Sequence, residues 1–163
     1  MNIRPIEADD RALLVPIIVN AGNFTEEEVE TALELIDEAI EENNSGDYNI
    51  HVIEDDGAVR GYVCIGETPL TEGTYDLYWI VVDAGTRGKG YGQRLLRHAE
   101  EEIRRRGGRL LLIETSSMES YQATRRFYLA ADYTEIARLP DYYKDGDDKI
   151  IYAKRVAAVL PGE

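Results

Sequence analysis

The chain has 163 residues, 44% of them hydrophobic, which suits one folded core and excludes a disordered chain. Its formal net charge is −14, from 32 acidic against 18 basic residues, a field that disfavours nucleic acid and anionic membrane as partners. No apolar run reaches the length of a membrane span and the N-terminus has no apolar signal core, so a cytoplasmic protein is expected.

In chain order, residues 2–7 read as a short strand, and Ala8 to Val19 shows helical spacing of Leu13, Leu14, Ile17 and Ile18. Thr25 followed by Glu28 is a capping box that opens a helix to about Asn43. Val29, Ala32, Leu33, Ile36 and Ile40 share one face of it, and acids cover the rest. Asn49 to Glu54 and Val59 to Gly66 are two strands joined by Asp55-Asp56-Gly57-Ala58. Thr74 to Asp83 is a central strand, and a helix over 92–106 stops at Gly107-Gly108. Strand 109–115, helix 118–130, strand 132–139 and strand 149–156 complete a single domain over 1–156, with 157–163 a frayed tail. The order β-α-α-β-β-β-α-β-α-β-β predicts an α+β fold, a mixed sheet with helices on both faces.

Between the central strand and the helix lies Arg87-Gly88-Lys89-Gly90-Tyr91-Gly92. Strand, glycine-rich turn and helix form a device for holding phosphate. The first helical turn has unpaired N–H groups and partial positive charge, and glycines let that backbone press against an anion. The loop is not a nucleotide P-loop, because Gln93 and Arg94 follow Gly92 where Lys and Ser or Thr are required. A nucleotide-binding switch is excluded with it. Nor is it the dinucleotide fingerprint, which belongs to a first βαβ unit. The plainer reading of the loop is a helix N-terminus with a tight entry turn.

With the preceding Val82-Asp83, this loop resembles motif A of the GNAT N-acetyltransferase family. Tyr121-Gln122-Ala123-Thr124-Arg125-Arg126-Phe127-Tyr128, followed by Ala131-Asp132-Tyr133, is similar to motif B of the same family. Tyr121 stands where the family often has Asn, Thr124 where it has Ala, and Asp132-Tyr133 where it has Gly-Phe. The resemblance covers residues 75–156 well and residues 1–70 by element order. It implies a splayed GNAT-type sheet that parts between the fourth and fifth strands. It also implies acetyl-CoA as co-substrate and acetyl transfer to an amine by direct attack.

The same resemblance assigns candidate residues. The loop, with Arg87, Gly88, Lys89, Gly90, Tyr91, Gly92 and Gln93, would hold the pyrophosphate. The backbone of Ile80, Val81 and Val82 would pair with the pantetheine, whose arm Tyr121 would also meet. Glu114, at the end of Leu110-Leu111-Leu112-Ile113, is the candidate base, since a carboxylate facing an apolar gap has a raised pKa. Tyr128 is the candidate acid beside the sulfur. Tyr142 and Tyr143, in the Pro140–Gly146 turn, and Asp76, Tyr78 and Trp79 are further lining candidates. Each has a plainer reading as core, rim or turn. The acceptor is left open between a protein or peptide α-amine and a small amine, and a homodimer is possible. A non-catalytic acyl-CoA-binding module is the alternative; it would keep the loop and lack Glu114 and Tyr128. The only cysteine, Cys64, reads as a core residue and allows no internal disulfide. His51 and His98 form no ligand pattern, so no metal is expected.

Overall fold

The computed structural model describes residues 1–156; the expected tail lies outside them. The elements run β1 (Asn2–Pro5), α1 (Asp10–Asn20), α2 (Glu26–Glu41), β2 (Asn49–Asp55), β3 (Ala58–Glu67), β4 (Thr74–Val82), α3 (Tyr91–Arg105), β5 (Leu110–Ser116), α4 (Gln122–Ala130), β6 (Thr134–Lys144) and β7 (Asp147–Arg155). The strand order is β1-β2-β3-β4-β5-β7-β6. The β4–β5 pair is parallel, while β1–β2, β2–β3, β5–β7 and β6–β7 are antiparallel, so the fold is α+β with a mixed sheet. Among the described residues, contacts gather into two compact units, Met1–Gly66 with Tyr78–Glu100, and Glu67–Leu77 with residues 101–156.

In the first unit, α2 forms as its sequence dictates. The Glu28 N–H donates to Thr25 Oγ1 at 3.2 Å and the Thr25 N–H donates to Glu28 Oε1 at 3.4 Å. Ala32, Ile36 and Ala39 recur at helical spacing and are buried, whereas Glu27, Glu30, Glu34 and Glu41 face water. They pack in one core with Leu14 and Ile18 of α1, Ile50 and Val52 of β2, and Tyr62 and Cys64 of β3. Cys64 is fully buried and burial pushes its thiol up, as a core residue requires. The β2–β3 register shifts between Ile53 and Glu54, opposite Gly61. A Cβ at Gly61 would stand 2.4 Å from the Val81 carbonyl oxygen and 3.0 Å from Val82 Cα. Glycine there lets β3 close on the end of β4, where the Asp83 N–H donates to the Arg60 carbonyl at 2.8 Å.

In the second unit, the β4–β5 register runs from Thr74↔Leu110 to Leu77↔Ile113, and β5 continues along β7 from Leu110↔Arg155 to Ser116↔Lys149. Leu111, Ile113 and Thr115 are buried, so Leu112, Glu114 and Ser116 share the opposite face. By register, Asp76 of β4 and Lys149 of β7 belong to that face too.

Two elements differ from expectation. Tyr142 and Tyr143 lie on β6, which runs to Lys144, and the turn is Asp145-Gly146. Pro140-Asp141 reads as a turn because proline lacks an N–H. Here it sits on an edge strand, where no donor is missed. The register shifts between Leu139 and Lys144, and Asp141 adopts φ +53°. The helix expected over 118–130 begins as a 3₁₀ turn, Glu119–Tyr121, before α4.

The end of α4 accounts for one departure from motif B. Asp132 adopts φ +69°, and the Tyr133 N–H donates back to the Tyr128 carbonyl at 3.1 Å. This is the left-handed helix stop that glycine takes without strain. Asp132→Gly is therefore expected to raise stability by about 0.5–1 kcal/mol, read as a higher urea midpoint at unchanged slope. A lower midpoint would show that Asp132 is favourable where it stands.

Candidate active site

The first unit carries the glycine loop. Asp83 ends the strand region, and its Oδ1 accepts the Gly85 N–H at 3.1 Å while its carbonyl accepts the Thr86 N–H and hydroxyl at 2.9 and 2.8 Å. This Asx-type turn aims the chain into the loop. Gly88 and Gly90 adopt φ +85° and +79°, and a Cβ at either would meet nothing within 4 Å. Their glycines answer a conformational demand, and the space beside them is open. The first helical bond of α3 runs from the Arg94 N–H to the Gly90 carbonyl at 3.1 Å. The N–H groups of Tyr91, Gly92 and Gln93 precede it and have no intrahelical acceptor. Open glycines, free amides and a helix N-terminus fit a diphosphate.

Side chains of the loop divide differently from expectation. Lys89 and Gln93 are exposed, so both are available to an anion. The Arg87 guanidinium donates to the Ala21 carbonyl at 3.3 Å, tying the loop to the end of α1. The Tyr91 ring is buried, and its hydroxyl donates to Asp55 Oδ2 at 2.6 Å. Only the Tyr91 amide can face a ligand; its side chain anchors α3 to the β2–β3 hairpin. Val81 is core, Ile80 and Val82 are half-buried, and Trp79 meets Phe24 edge-on at 5.1 Å between centroids. Tyr78 is exposed and meets Tyr48 edge-on at 5.2 Å.

The second unit carries a carboxylate cluster. The Asp76 Oδ2 accepts the Thr68 hydroxyl at 2.7 Å. Burial pushes the Asp76 carboxyl up and the nearby Glu114 charge adds to the rise; the Thr68 hydrogen bond and the Lys149 charge oppose it. Glu114 does not face an apolar gap. Its side chain is 48% exposed and its Oε2 pairs with the Lys149 ammonium at 2.8 Å. The expectation failed because a lone Glu after four apolar residues does not reveal a cation on the neighbouring strand. The environment expected for Glu114 belongs to Asp76.

Lys149 Nζ also lies 4.3 Å over the Tyr142 ring, and Tyr142 meets Tyr143 edge-on at 5.0 Å. The turn end of this hairpin is held to the end of β5, as the Ser116 hydroxyl donates to buried Asp147 and the Asp148 N–H donates to Ser117 Oγ at 2.7 Å. Lys149 escaped the sequence reading because only strand register brings it to Glu114, and Thr68 because it reaches Asp76 from the loop after β3. Gly61 left a signal, a lone glycine inside a strand pattern.

Tyr128, on α4, is buried at 4% exposure among Phe127, Tyr133 and Tyr152, with ring centroids 5.4, 6.1 and 6.2 Å away. Burial pushes its hydroxyl far up, so it keeps its proton. Tyr121 caps the N-terminus of α4 and is half-buried. His51 and His98 meet edge-on at 4.6 Å, a pairing the sequence did not suggest. Among the described residues, no helix is long and apolar enough to cross a membrane.

The first unit thus carries a glycine-rich loop at a helix N-terminus, and the second a parallel β4–β5 pair with a carboxylate cluster. A family model described as acetyltransferase (GNAT) family matches residues 18–133, and the chain belongs to that family. Its acetyl donor is acetyl-CoA. A GNAT-family protein from Desulfovibrio desulfuricans is 41% identical, covering 96% of this chain and 99% of its own, with a TM-score of 0.92. The ribosomal-protein-S18-alanine N-acetyltransferase from Escherichia coli shares the fold at 21% identity, 99% and 97% coverage and a TM-score of 0.75. So does yncA, assigned as an acetyltransferase, from Salmonella typhimurium, solved with its cofactor acetyl-CoA, at 20% identity, 100% and 98% coverage and a TM-score of 0.74. No curated protein matches the sequence.

Proposed function

We propose that the chain transfers the acetyl group of acetyl-CoA to an amine nitrogen by direct attack, with Asp76 as proton acceptor. When bound, acetyl-CoA supplies a thioester carbonyl open to a nucleophile. Amides of the Gly88–Gln93 loop hold the pyrophosphate, with Lys89 adding charge. The backbone of Ile80–Val82 pairs with the pantetheine arm, and an N–H near Val82 is the donor toward the thioester oxygen. Tyr121 packs along the same arm.

The observation that carries the reading is the half-buried Asp76 carboxylate, raised above its ordinary value chiefly by burial and held by the Thr68 hydroxyl. An amine reaches the site as an ammonium and must lose a proton before it attacks. A carboxylate of ordinary pKa is a poor acceptor for that proton; one raised by burial is a better one. Glu114, held by Lys149, supplies negative charge that draws the cationic acceptor and keeps Asp76 basic. Tyr143 offers an aromatic face to the acceptor, while that of Tyr142 is covered by Lys149. A module that only bound acyl-CoA would have no use for a desolvated carboxylate beside a second one. The α-amine of a peptide, with a pKa near 8, is easier to deprotonate than a lysine side chain and so asks less of the base.

Tyr128, whose hydroxyl burial keeps protonated, hydrogen-bonds the leaving sulfur in this reading and steadies its developing charge. Tyr128→Phe is expected to keep CoA affinity and lower turnover by roughly 10²-fold. Unaltered turnover would reduce Tyr128 to packing. The reading as a whole is tested with a panel of peptides and small amines, following free CoA thiol and the acetylated amine together. Amine-dependent thiol release with matching acetyl product is expected; release without acetylated amine would contradict it.

A further inference from the structure

We infer that Lys149 is a charge filter: it fills a cation site made by Glu114 and the Tyr142 ring, and so turns away amines that carry a second cation close to the reacting one. The inference rests on the acceptor reading given above.

A carboxylate and an aromatic face around one point are the elements that recognise a free ammonium ion. Here that point is already taken by a tethered one, 2.8 Å from Glu114 Oε2 and 4.3 Å over the Tyr142 ring. Lys149 is 13% exposed while Glu114 is 48% exposed, so the ammonium is covered and its partner remains open to solvent. Burial alone would lower the Lys149 ammonium; the Glu114 hydrogen bond and charge outweigh it and keep it protonated.

The charge count of the cluster follows. Asp76 and Glu114 contribute two negative charges and Lys149 one positive, which leaves a single charge to balance an incoming amine. A monocation meets that remainder beside Asp76. A short dication needs a second anionic partner, and the near one is occupied. Its far ammonium would instead meet the Lys149 ammonium, a repulsive element of the kind that sets specificity. Removing Lys149 frees both Glu114 and the Tyr142 face for that second ammonium.

The test measures binding, so it does not depend on turnover. Putrescine and n-butylamine, matched in length and differing by one charge, are titrated into the CoA-saturated protein by calorimetry. In the wild type, putrescine is expected to bind no tighter than butylamine. In Lys149→Met, putrescine is expected to gain roughly ten-fold, the size of an exposed ion pair plus a cation–π contact. Adding Glu114→Gln to Lys149→Met should cancel that gain, and Lys149→Arg, which keeps the cation, should show none. Lys149→Gln repeats the test should the methionine variant fail to fold. Putrescine affinity that does not change on removing the Lys149 charge overturns the filter, as does a gain that persists without Glu114. An amine that binds with the expected selectivity and is never acetylated would overturn the transfer reading instead.

Discussion

Gly90→Val is expected to leave a folded protein that no longer binds acetyl-CoA. Gly90 holds φ +79°, a region a β-branched residue avoids at a cost of about 1–2 kcal/mol. No atom outside the neighbouring residues lies within 4 Å of an added Cβ, so the space beside Gly90 is open. The loop relieves the strain by rebuilding its backbone, and in doing so it turns away the amides at the start of α3. Each charge-assisted hydrogen bond lost is worth about 1.5–3 kcal/mol, so losing two weakens binding by roughly 10²-fold or more. The open space is also where the pyrophosphate would lie, so the valine methyls compete with it directly. Gly90→Ala, smaller and unbranched, should fall between. Calorimetry with acetyl-CoA reads all three proteins, and full affinity in a folded Gly90→Val would remove the loop from cofactor binding.

Asp76→Asn is expected to lower turnover by roughly 10²- to 10³-fold, the usual share of a general base, with little change in CoA affinity. The pH dependence separates this role from a structural one. Asp76 must be ionised to accept a proton, and its pKa lies above the ordinary carboxylate value. The acidic limb of the rate profile therefore falls at higher pH than an exposed carboxylate would give. In Asp76→Asn that limb should vanish, leaving the amine's own ionisation, so that raising the pH recovers rate. The neighbours move the limb in opposite senses. The Thr68 hydroxyl lowers the Asp76 pKa, so Thr68→Val should shift the limb up. The Glu114 charge raises it, so Glu114→Gln should shift the limb down and keep it. Were Glu114 itself the base, Glu114→Gln would abolish the limb and Asp76→Asn would only displace it.

Much of the fold was legible because local chemistry and global architecture agree. The capping box at Thr25 and Glu28, the spacing of Ala32, Ile36 and Ala39, and the Gly107-Gly108 stop each announce an element that the structure contains. The conformation of the glycine loop was legible for the same reason: glycine at Gly88 and Gly90 writes the left-handed backbone into the sequence. The carboxylate cluster was not. Whether Glu114 faces solvent or an apolar gap depends on which strand lies beside β5 and in what register, and Lys149 stands 35 residues away on β7. Thr68 reaches Asp76 across a loop whose geometry no motif describes. Pro140-Asp141 misled for the converse reason, since an edge strand excuses a proline that a central strand would not. Backbone conformation was thus legible in sequence, while side-chain partnerships across strands required the register.

The most direct measurement gives the protein acetyl-CoA labelled in its acetyl carbon, first alone and then with a peptide amine. Direct transfer predicts that the protein alone acquires no label, and that on adding the amine each CoA thiol released is matched by one labelled amide on the amine nitrogen. Label that settles on the protein and then passes to the amine, or thiol release matched only by free acetate, would contradict it.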